Sequence, residues 1–293
     1  GLGRAPSEND RDHYDKFNIH CDVLVVGGGP AGLMAALAAG RAGARIILAD
    51  EQPEMGGSLL SSTGAIGGKK PTDWIKQVVG ELTRMSEVML LSRSTVTGYY
   101  DHNFLVINER RTYHLEQPDT RFSRERIWRV RASQVVLATG AIERPLVFSH
   151  NDKPGVMLAS AVSAYLIRYG VLPGRRIVFF TNNNSVYPKV LQLVKAGVEV
   201  VGVVDIRSNL QGELIQAVRS AGVPIFEEHV VIDVRGGRNG SKRASIARVD
   251  RIREHILSHK GELRCDVVEK AADGNGVVGH DADSGAKTVS DEE

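Results

Sequence analysis

Cysteine is scarce in this chain of 293 residues. Only Cys21 and Cys265 occur, far apart in the sequence, and there is no Cys-x-x-Cys pair. This excludes a dithiol centre of the thioredoxin reductase kind and favours a cytoplasmic protein without disulfides. Long apolar runs are also missing, because glycine or a charged residue interrupts each run well before the roughly 20 residues that a spanning helix needs. We therefore expect no membrane-spanning segment.

Charge of one sign is not in excess. Lys and Arg number 37 against 35 Asp and Glu, which gives a formal net charge of +2. This balance gives no reason to expect a nucleic acid or a membrane surface as a partner. Neither His102 nor His114 has a second residue at metal-ligand spacing, so we expect no metal site. The length of 293 residues predicts a globular protein of roughly two domains.

The strongest positive signal is a glycine turn between an apolar strand and a helix. The turn reads Gly27-x-Gly29-x-x-Gly32, and an alanine-rich helix begins at Pro30. The first glycine permits a tight turn, the second lets the backbone approach a pyrophosphate, and the third lets the helix pack closely on the strand. The free N–H groups and the positive end of the helix dipole then face the phosphates. This predicts a dinucleotide site, and the alternative is a glycine turn in another kind of α/β protein.

An acidic residue follows at the expected distance. The second predicted strand, residues 44–49, ends in Asp50-Glu51. Asp50 lies 23 positions after Gly27 (50 − 27), where this fold places the acid that binds the adenosine ribose and disfavours a 2′-phosphate. The pair Gly56-Gly57 is expected where the chain passes close to a bound cofactor, because a Cβ there would collide with it.

The remaining pattern predicts an α/β protein with two Rossmann-like domains of the FAD/NAD(P)-binding type, as in glutathione and thioredoxin reductases. A helix is predicted over 72–85, and short alternating segments over 88–136 predict an inserted β-meander. An apolar strand that ends in Ala138-Thr139-Gly140 is a second cofactor signal, because open α/β sheets bind ligands at the carboxyl ends of their strands. Residues 1–20 carry no apolar period and are predicted to be a linker, as in an internal piece of a longer protein.

A second strand–helix–strand unit is predicted over 176–205, but its turn reads Thr181-Asn182-Asn183-Asn184-Ser185. These side chains would crowd a pyrophosphate, so we expect the second, degenerate domain over 151–262 to bind no nucleotide. Its basic segment 230–249 surrounds glycine turns and predicts a solvated hairpin. The first domain, 21–150, is expected to be partly closed by 263–268, and 269–293 to be a disordered tail.

Three segments resemble the alpha subunit of heterotetrameric sarcosine oxidase: 21–32, 137–145 and 151–162. The third, which begins Asn-Asp-Lys-Pro-Gly-Val-Met, is far more specific than a glycine motif. The resemblance covers about residues 1–268.

The resemblance implies an enzyme that oxidatively demethylates sarcosine to glycine. In that family the substrate-oxidising FAD lies in a beta subunit, while FMN at the interface of the alpha and beta subunits reduces oxygen to hydrogen peroxide. The alpha subunit holds a tightly bound NAD that does not turn over. Its carboxyl-terminal part passes the one-carbon unit to tetrahydrofolate. The implied partners are the beta and smaller subunits of the complex.

The resemblance also implies a set of cofactor-binding residues, and it implies no catalytic residue in this chain. Carried over by position, the set is Gly27, Gly28, Gly29, Pro30, Ala31, Gly32, Asp50, Glu51, Gly57, Ser58, Val96, Thr139 and Gly140. Within it, the glycine turn would hold the NAD pyrophosphate, Asp50 the adenosine ribose, and the backbone of Val96 the adenine.

The sequence departs from the family pattern at both ends. The small amino-terminal domain and the folate-binding part have no counterpart here, and an unrelated tail replaces the glycine-rich continuation expected after Val268. We therefore expect this chain to be inactive alone. One alternative is an FAD-binding subunit of a related amine, opine or cyanide-forming dehydrogenase, because the same turn accepts FAD. The other is a non-catalytic scaffold that docks a beta subunit.

Overall fold

The computed structural model describes residues 7–10, 12–119, 121–237, 240–252, 276–280 and 287–291. The chain divides into two compact units, residues 1–141 and 142–293. The boundary falls nine positions before the predicted one at residue 150 (150 − 141).

The first unit is built on a six-stranded sheet in the order β3-β2-β1-β6-β5-β4. Strands β3, β2, β1 and β6 are parallel, and β5 and β4 continue the sheet as antiparallel strands. Its elements are β1 (Tyr14–Val26), α1 (Pro30–Arg41), β2 (Ile46–Ala49), α2 (Pro71–Thr83), β3 (Val88–Leu91), β4 (Ser94–Tyr100), β5 (Phe104–Arg110) and β6 (Glu125–Leu137).

Two apolar clusters hold this sheet, one on each face. On the helix side, Leu33 of α1 and Leu82 of α2 are fully buried with Leu48 of β2. On the other side, Leu105 and Val130 of the meander strands are fully buried. Burial of each such side chain stabilises the fold by about 1.5–3 kcal/mol. The two clusters fix the carboxyl ends of β1, β2 and β6 along one edge.

The structure differs from the sequence prediction at three places in this unit. Strand β1 begins at Tyr14, inside the predicted linker 1–20, because it pairs in parallel with β6, a partner far along the chain. The last part of the predicted meander and the predicted strand before Ala138-Thr139-Gly140 form one continuous strand, β6. Strand β3 lies parallel to β2 in the Rossmann part of the sheet and not in the meander.

The second unit contains a three-stranded parallel sheet in the order β7-β8-β9. A separate antiparallel hairpin, β10 with β11, matches the hairpin predicted over 230–249. The elements are α3 (Ala159–Tyr169), β7 (Arg176–Thr181), α4 (Tyr187–Lys195), β8 (Glu199–Asp205), α5 (Glu213–Ser220), β9 (Ile225–Glu227), β10 (His229–Gly237) and β11 (Gly240–Arg248).

Two further strands lie inside the segment predicted to be a disordered tail. β12 (Gly276–His280) and β13 (Lys287–Asp291) pair antiparallel, and both contain β-branched residues that favour extended backbone. The return strand predicted over 263–268 lies outside the described residues. Among the described residues, no helix is both long and apolar enough to span a membrane.

Candidate dinucleotide site

The first glycine of the turn has a backbone that other residues rarely adopt. Gly27 has φ of 101°, and a Cβ placed on it would lie closer than 3.0 Å to the carbonyl oxygen of Ala138. Its N–H donates to the carbonyl oxygen of Ala49 at 2.8 Å. The turn is therefore closed between the ends of β2 and β6, and only glycine fits there.

The other two glycines of the motif meet opposite surroundings. A Cβ on Gly32 would lie closer than 3.0 Å to the carbonyl oxygen of Gly27, so α1 starts in direct contact with the turn. A Cβ on Gly29 would meet only the Cα of Gly57, at 3.9 Å. The backbone at Gly29 is thus open on the side where a pyrophosphate would lie, while Gly32 is closed by packing. The close contact at Gly32 is the packing that the spacing predicts, and the approach of a pyrophosphate to Gly29 stays a prediction.

A second glycine turn, Gly56-Gly57, packs directly against the first. The N–H of Gly56 donates to the carbonyl oxygen of Gly28 at 2.8 Å. Gly57 has φ of 52°, and a Cβ on it would lie 2.8 Å from the Cα of Gly29. A short 3-10 helix, Gly57–Ser61, starts at this contact, with Ser58 exposed. Two segments that the sequence predicts separately as cofactor neighbours are therefore in contact.

The carboxylate of Asp50 points into the turn. It accepts the N–H of Gly28 at 2.5 Å on one oxygen and the N–H of Gln52 at 2.7 Å on the other, and the residue is 9% exposed. The neighbouring Glu51 is exposed. We call the open backbone of Gly27–Gly32, together with the adjacent Gly57, the cradle. Asp50 thus fixes the backbone beside the cradle, and its contact with a ribose stays a prediction.

Hydrogen bonds from Arg93, from the start of β4 and from the end of β5 form a clamp on residues 50–52, and no sequence pattern indicates it. The N–H of Ser94 donates to the carbonyl oxygen of Asp50 at 2.8 Å, and that of Arg93 donates to the carbonyl oxygen of Gln52 at 2.9 Å. The guanidinium of Arg110 donates to the carbonyl oxygen of Glu51 at 3.1 Å. Residues 50–52 are therefore hydrogen-bonded to Arg93, to the start of β4 and to the end of β5.

Val96 and Met55 take different positions relative to this edge. Val96, a predicted adenine contact, lies in β4 two residues after Ser94, pairs with Ile107 and packs partly buried against the meander core. Its role as an adenine contact stays a prediction. Sequence reasoning missed Met55, yet a Cβ on Gly28 would lie closer than 3.0 Å to its Sδ. Met55 therefore fills the space beneath the turn.

The end of β6 reaches the same edge. The N–H of Ala138 donates to the carbonyl oxygen of Val26 at 2.8 Å, which places the following Thr139 beside Gly27. Thr139 and Gly140 are exposed, and a Cβ on Gly140 would meet nothing within 4 Å. Both Rossmann signals of the sequence therefore converge on one open edge of the sheet.

The second unit has a similar spacing, but its turn carries side chains. Asp205 lies 24 positions after Thr181 (205 − 181), the first residue of the turn, and pairs with it between β7 and β8. Tyr187 is fully buried, and its hydroxyl donates to an Asp205 oxygen at 2.8 Å.

Asp205 has a second partner. The guanidinium of Arg207 donates to its two oxygens at 3.0 and 2.7 Å. In the turn itself, the side chain of Asn183 accepts the N–H of Ser185 at 2.9 Å. Burial and then the hydrogen bond to Asp205 raise the pKa of Tyr187. The second turn thus carries side chains where the first has glycine, and the chain's own side chains bind its acid.

The described residues contain no cluster of three side chains able to hold a metal ion. Burial raises the pKa of the Cys21 thiol to about 11, so this thiol is not a nucleophile at neutral pH. The arrangement at Gly27–Gly32 can bind and orient phosphates through backbone N–H groups.

Comparison with known proteins supports this site. Residues 22–136 match the family described as FAD dependent oxidoreductase. The chain is 46% identical over 281 residues to the sarcosine oxidase alpha subunit of Corynebacterium sp. (strain P-1), which covers 95% of this chain and 29% of that protein. It is 33% identical to an opine oxidase subunit of Agrobacterium tumefaciens (strain Ach5) over 63% of this chain and 36% of that protein.

Among solved structures, the Lactococcus lactis thioredoxin reductase aligns with a TM-score of 0.59 at 18% identity, over 87% of this chain and 75% of that chain. This likeness concerns the fold alone.

These findings confirm the resemblance to sarcosine oxidase alpha subunits and the predicted FAD/NAD(P)-binding fold. They support an oxidoreductase function and a dinucleotide-binding site. The chain spans about 29% of the length of the sarcosine oxidase alpha subunit that it matches.

Proposed function

From this similarity we propose that the region binds NAD as a resident cofactor of a multi-subunit sarcosine oxidase. The observation that carries the proposal is the open backbone at Gly29. Gly57 packs against it on one side, and the turn lies at the carboxyl ends of the neighbouring strands β1, β2 and β6. A dinucleotide pyrophosphate fits this cradle, because neither glycine carries a Cβ that would occupy its space. When bound, NAD supplies a nicotinamide that can in principle accept hydride.

The residues of the cradle would hold this cofactor, and we propose that the bound cofactor does not turn over. Hydride exchange between two cofactors in such folds needs a second nucleotide site, and in the second unit the side chains of Tyr187 and Arg207 bind Asp205, the acid that such a site would use. The chain also has no Cys-x-x-Cys pair to receive electrons. The cofactor's role is therefore to stabilise this part of the subunit.

In the whole assembly, the proposed reaction is the oxidative demethylation of sarcosine to glycine, with hydrogen peroxide as product and transfer of the one-carbon unit to tetrahydrofolate. The proposed partners are a beta subunit that carries FAD, and smaller subunits, with FMN between the alpha and beta subunits. The proposal rests on the 46% identity to a sarcosine oxidase alpha subunit. This chain alone is proposed to be inactive.

A second candidate is FAD in the same cradle. The observation that favours it is the family matched by residues 22–136, which is described as FAD dependent. Both cofactors share an adenosine diphosphate half, and the cradle would contact that half.

The released nucleotide separates the candidates. The full chain is purified and denatured, and the supernatant is analysed by mass spectrometry and absorbance. Recovery of NAD supports the proposal, and recovery of FAD alone refutes NAD in favour of the second candidate.

Recovery of no nucleotide leads to a melting experiment with added NAD. A ligand at 100 times its dissociation constant adds about 2.7 kcal/mol to the free energy of unfolding. An unchanged melting temperature would favour the scaffold alternative, in which the region only docks another subunit.

A further inference from the structure

Three consecutive main-chain carbonyls, those of residues 50–52, each accept a hydrogen bond from a distant segment. Neither a helix nor a strand fixes this stretch, which directly follows β2. The first and third carbonyls accept backbone N–H groups, from Ser94 and Arg93 respectively. The middle carbonyl, that of Glu51, accepts from the guanidinium of Arg110 at 3.1 Å. Arg110 is therefore the one side chain among the three donors, and the one donor that a substitution can remove.

The turn that supplies the two backbone donors also holds Arg110. Arg93 has φ of 52°, a left-handed conformation that side chains rarely adopt and that persists where surrounding contacts fix it. Ser94 is 1% exposed, and its hydroxyl donates to the carbonyl oxygen of Ser92 at 2.9 Å. The N–H of Arg110 donates to the carbonyl oxygen of Arg93 at 3.0 Å. The guanidinium of Arg110 therefore reaches Glu51 from a backbone that is itself fixed.

The bond from Arg110 determines the direction of a second hydrogen bond, which ends on the Asp50 carboxylate. The carbonyl of Glu51 and the N–H of Gln52 belong to one planar peptide group, so they can only rotate together. That N–H donates to one oxygen of Asp50 at 2.7 Å, and the N–H of Gly28 donates to the other at 2.5 Å. Rotation of this peptide group would therefore take away one of the two donors that hold the Asp50 carboxylate.

The positive charge of Arg110 also strengthens the bond on the other side of the peptide group. Hydrogen bonds from a guanidinium are stronger than neutral ones, and bonds that form a chain polarise one another. Arg110 makes no ion pair with any residue that the structure describes, so none of their carboxylates competes for its charge. A chain of hydrogen bonds thus runs from Arg110 through one peptide group to Asp50, and from Asp50 to Gly28 in the cradle.

We propose that Arg110 is a positioning residue for the adenosine ribose of the bound dinucleotide. It holds the peptide group between Glu51 and Gln52, and through that group it holds the Asp50 carboxylate where the 2′-hydroxyl of the ribose binds. The proposal rests on the proposed function for the presence of a dinucleotide. It concerns only the adenosine half, which NAD and FAD share.

The test compares the affinities of ADP and 2′-deoxy-ADP for the nucleotide-free full chain by calorimetric titration. The two ligands differ only in the hydroxyl that Asp50 is proposed to bind. Arg110→Met removes the donor and keeps an unbranched side chain, while Arg110→Lys keeps a charged donor. Arg131→Met is the matched control, because Arg131 is also exposed and its guanidinium also donates to main-chain carbonyls, those of Asp101 and His102 at 3.3 and 3.0 Å.

We expect the natural chain to bind ADP about tenfold more tightly than 2′-deoxy-ADP, because a hydrogen bond to a carboxylate is lost with the hydroxyl. In Arg110→Met the affinity for ADP should fall about tenfold and that for 2′-deoxy-ADP by less than about threefold, so that the preference disappears. Arg110→Lys should keep most of the preference, and Arg131→Met should bind both ligands as the natural chain does.

Equal weakening of both ligands in Arg110→Met would show that Arg110 only supports the fold, and would overturn the proposal. An unchanged preference in Arg110→Met, or the same loss of preference in Arg131→Met, would overturn it too. Melting temperatures show whether each variant is folded. If Arg110→Met does not fold, Arg110→Gln, which keeps a polar side chain without the charge, takes its place in the same comparison.

The nucleotide released from the natural chain tests the proposed cofactor separately. Release of FAD in place of NAD would refute NAD and leave the role of Arg110 intact, because ADP is part of both cofactors. Release of NAD from a chain that binds ADP and 2′-deoxy-ADP equally would overturn the role of Arg110 and leave the proposed cofactor intact. A natural chain that releases no nucleotide and does not bind ADP would overturn both.

Discussion

The two strand–helix–strand units each place an acid after their second strand or at its end, but the groups that bind the acid differ. In the first unit, Asp50 accepts the backbone N–H of Gly28, and the space in front of Gly29 stays open. In the second, Asp205 is bound by the side chains of Tyr187 and Arg207. This difference, which lies in the atoms that glycine lacks, is the basis of our proposal that only the first unit binds a nucleotide.

Gly32→Ala is expected to have the largest effect, because its Cβ would collide with the carbonyl oxygen of Gly27. Helix α1 must then move away from the turn, and its first N–H groups would no longer face the space where the phosphates are proposed to bind. We expect a loss of about 3 kcal/mol in the free energy of unfolding and loss of the bound nucleotide. Denaturant unfolding and nucleotide release measure these.

Gly80→Ala is the control for Gly32→Ala. A Cβ on Gly80, inside α2, would meet only the side chain of Arg84 at 3.8 Å. Alanine there should leave stability unchanged or raise it by about 0.5–1 kcal/mol. Equal destabilisation by both variants would show that the contact at Gly32 is not what matters.

Gly29→Ala should separate binding from folding. Its Cβ would meet only the Cα of Gly57 at 3.9 Å, so the fold should lose no more than about 1 kcal/mol. The methyl group would occupy the approach to the pyrophosphate, and we expect the NAD dissociation constant to rise about tenfold to hundredfold. Calorimetric titration of NAD into nucleotide-free chain measures this. An unchanged affinity would mean that the phosphates lie elsewhere.

Tyr187→Phe tests the closed turn of the second unit. The variant removes the hydroxyl that donates to Asp205 and leaves a buried carboxylate with one partner fewer. We expect a loss of about 1–2 kcal/mol in the free energy of unfolding and no change in nucleotide content. A second nucleotide bound to this variant would contradict the view that several side chains together close the second site.

The raised pKa of Tyr187 gives the smallest expected effect. Its folded-state pKa lies above the unfolded value of about 10, so its contribution to stability is complete below pH 10 and falls as the pH rises further. The slope reaches at most about 1.4 kcal/mol per pH unit. Between about pH 10 and 11, the natural chain should lose more unfolding free energy than Tyr187→Phe. Parallel curves would mean that Tyr187 ionises normally in the folded chain.

Local patterns were enough to predict the turn at Gly27, the helix after it, the strand that ends before Asp50 and the missing glycine turn of the second unit. They depend on residues close together in sequence, where spacing decides geometry. The long pairing of β1 with β6 could not be predicted, because residues 14–20 look like polar linker until their distant partner is known.

Three features of the site were hidden for the same reason. Met55 beneath Gly28, the clamp of Arg110 on Glu51, and the inward turn of the Asp50 carboxylate each depend on packing between separate segments. The sequence predicts the glycine turn at Gly29 and the glycine pair at Gly57 separately. It does not show that the two segments are in contact.

The most direct test of the central claim is the number of dinucleotides released per chain when the purified protein is denatured. The open first turn and the closed second turn predict one dinucleotide per chain in the natural protein and in Tyr187→Phe, and almost none in Gly29→Ala. Two per chain, or one per chain that persists in Gly29→Ala, would contradict this claim.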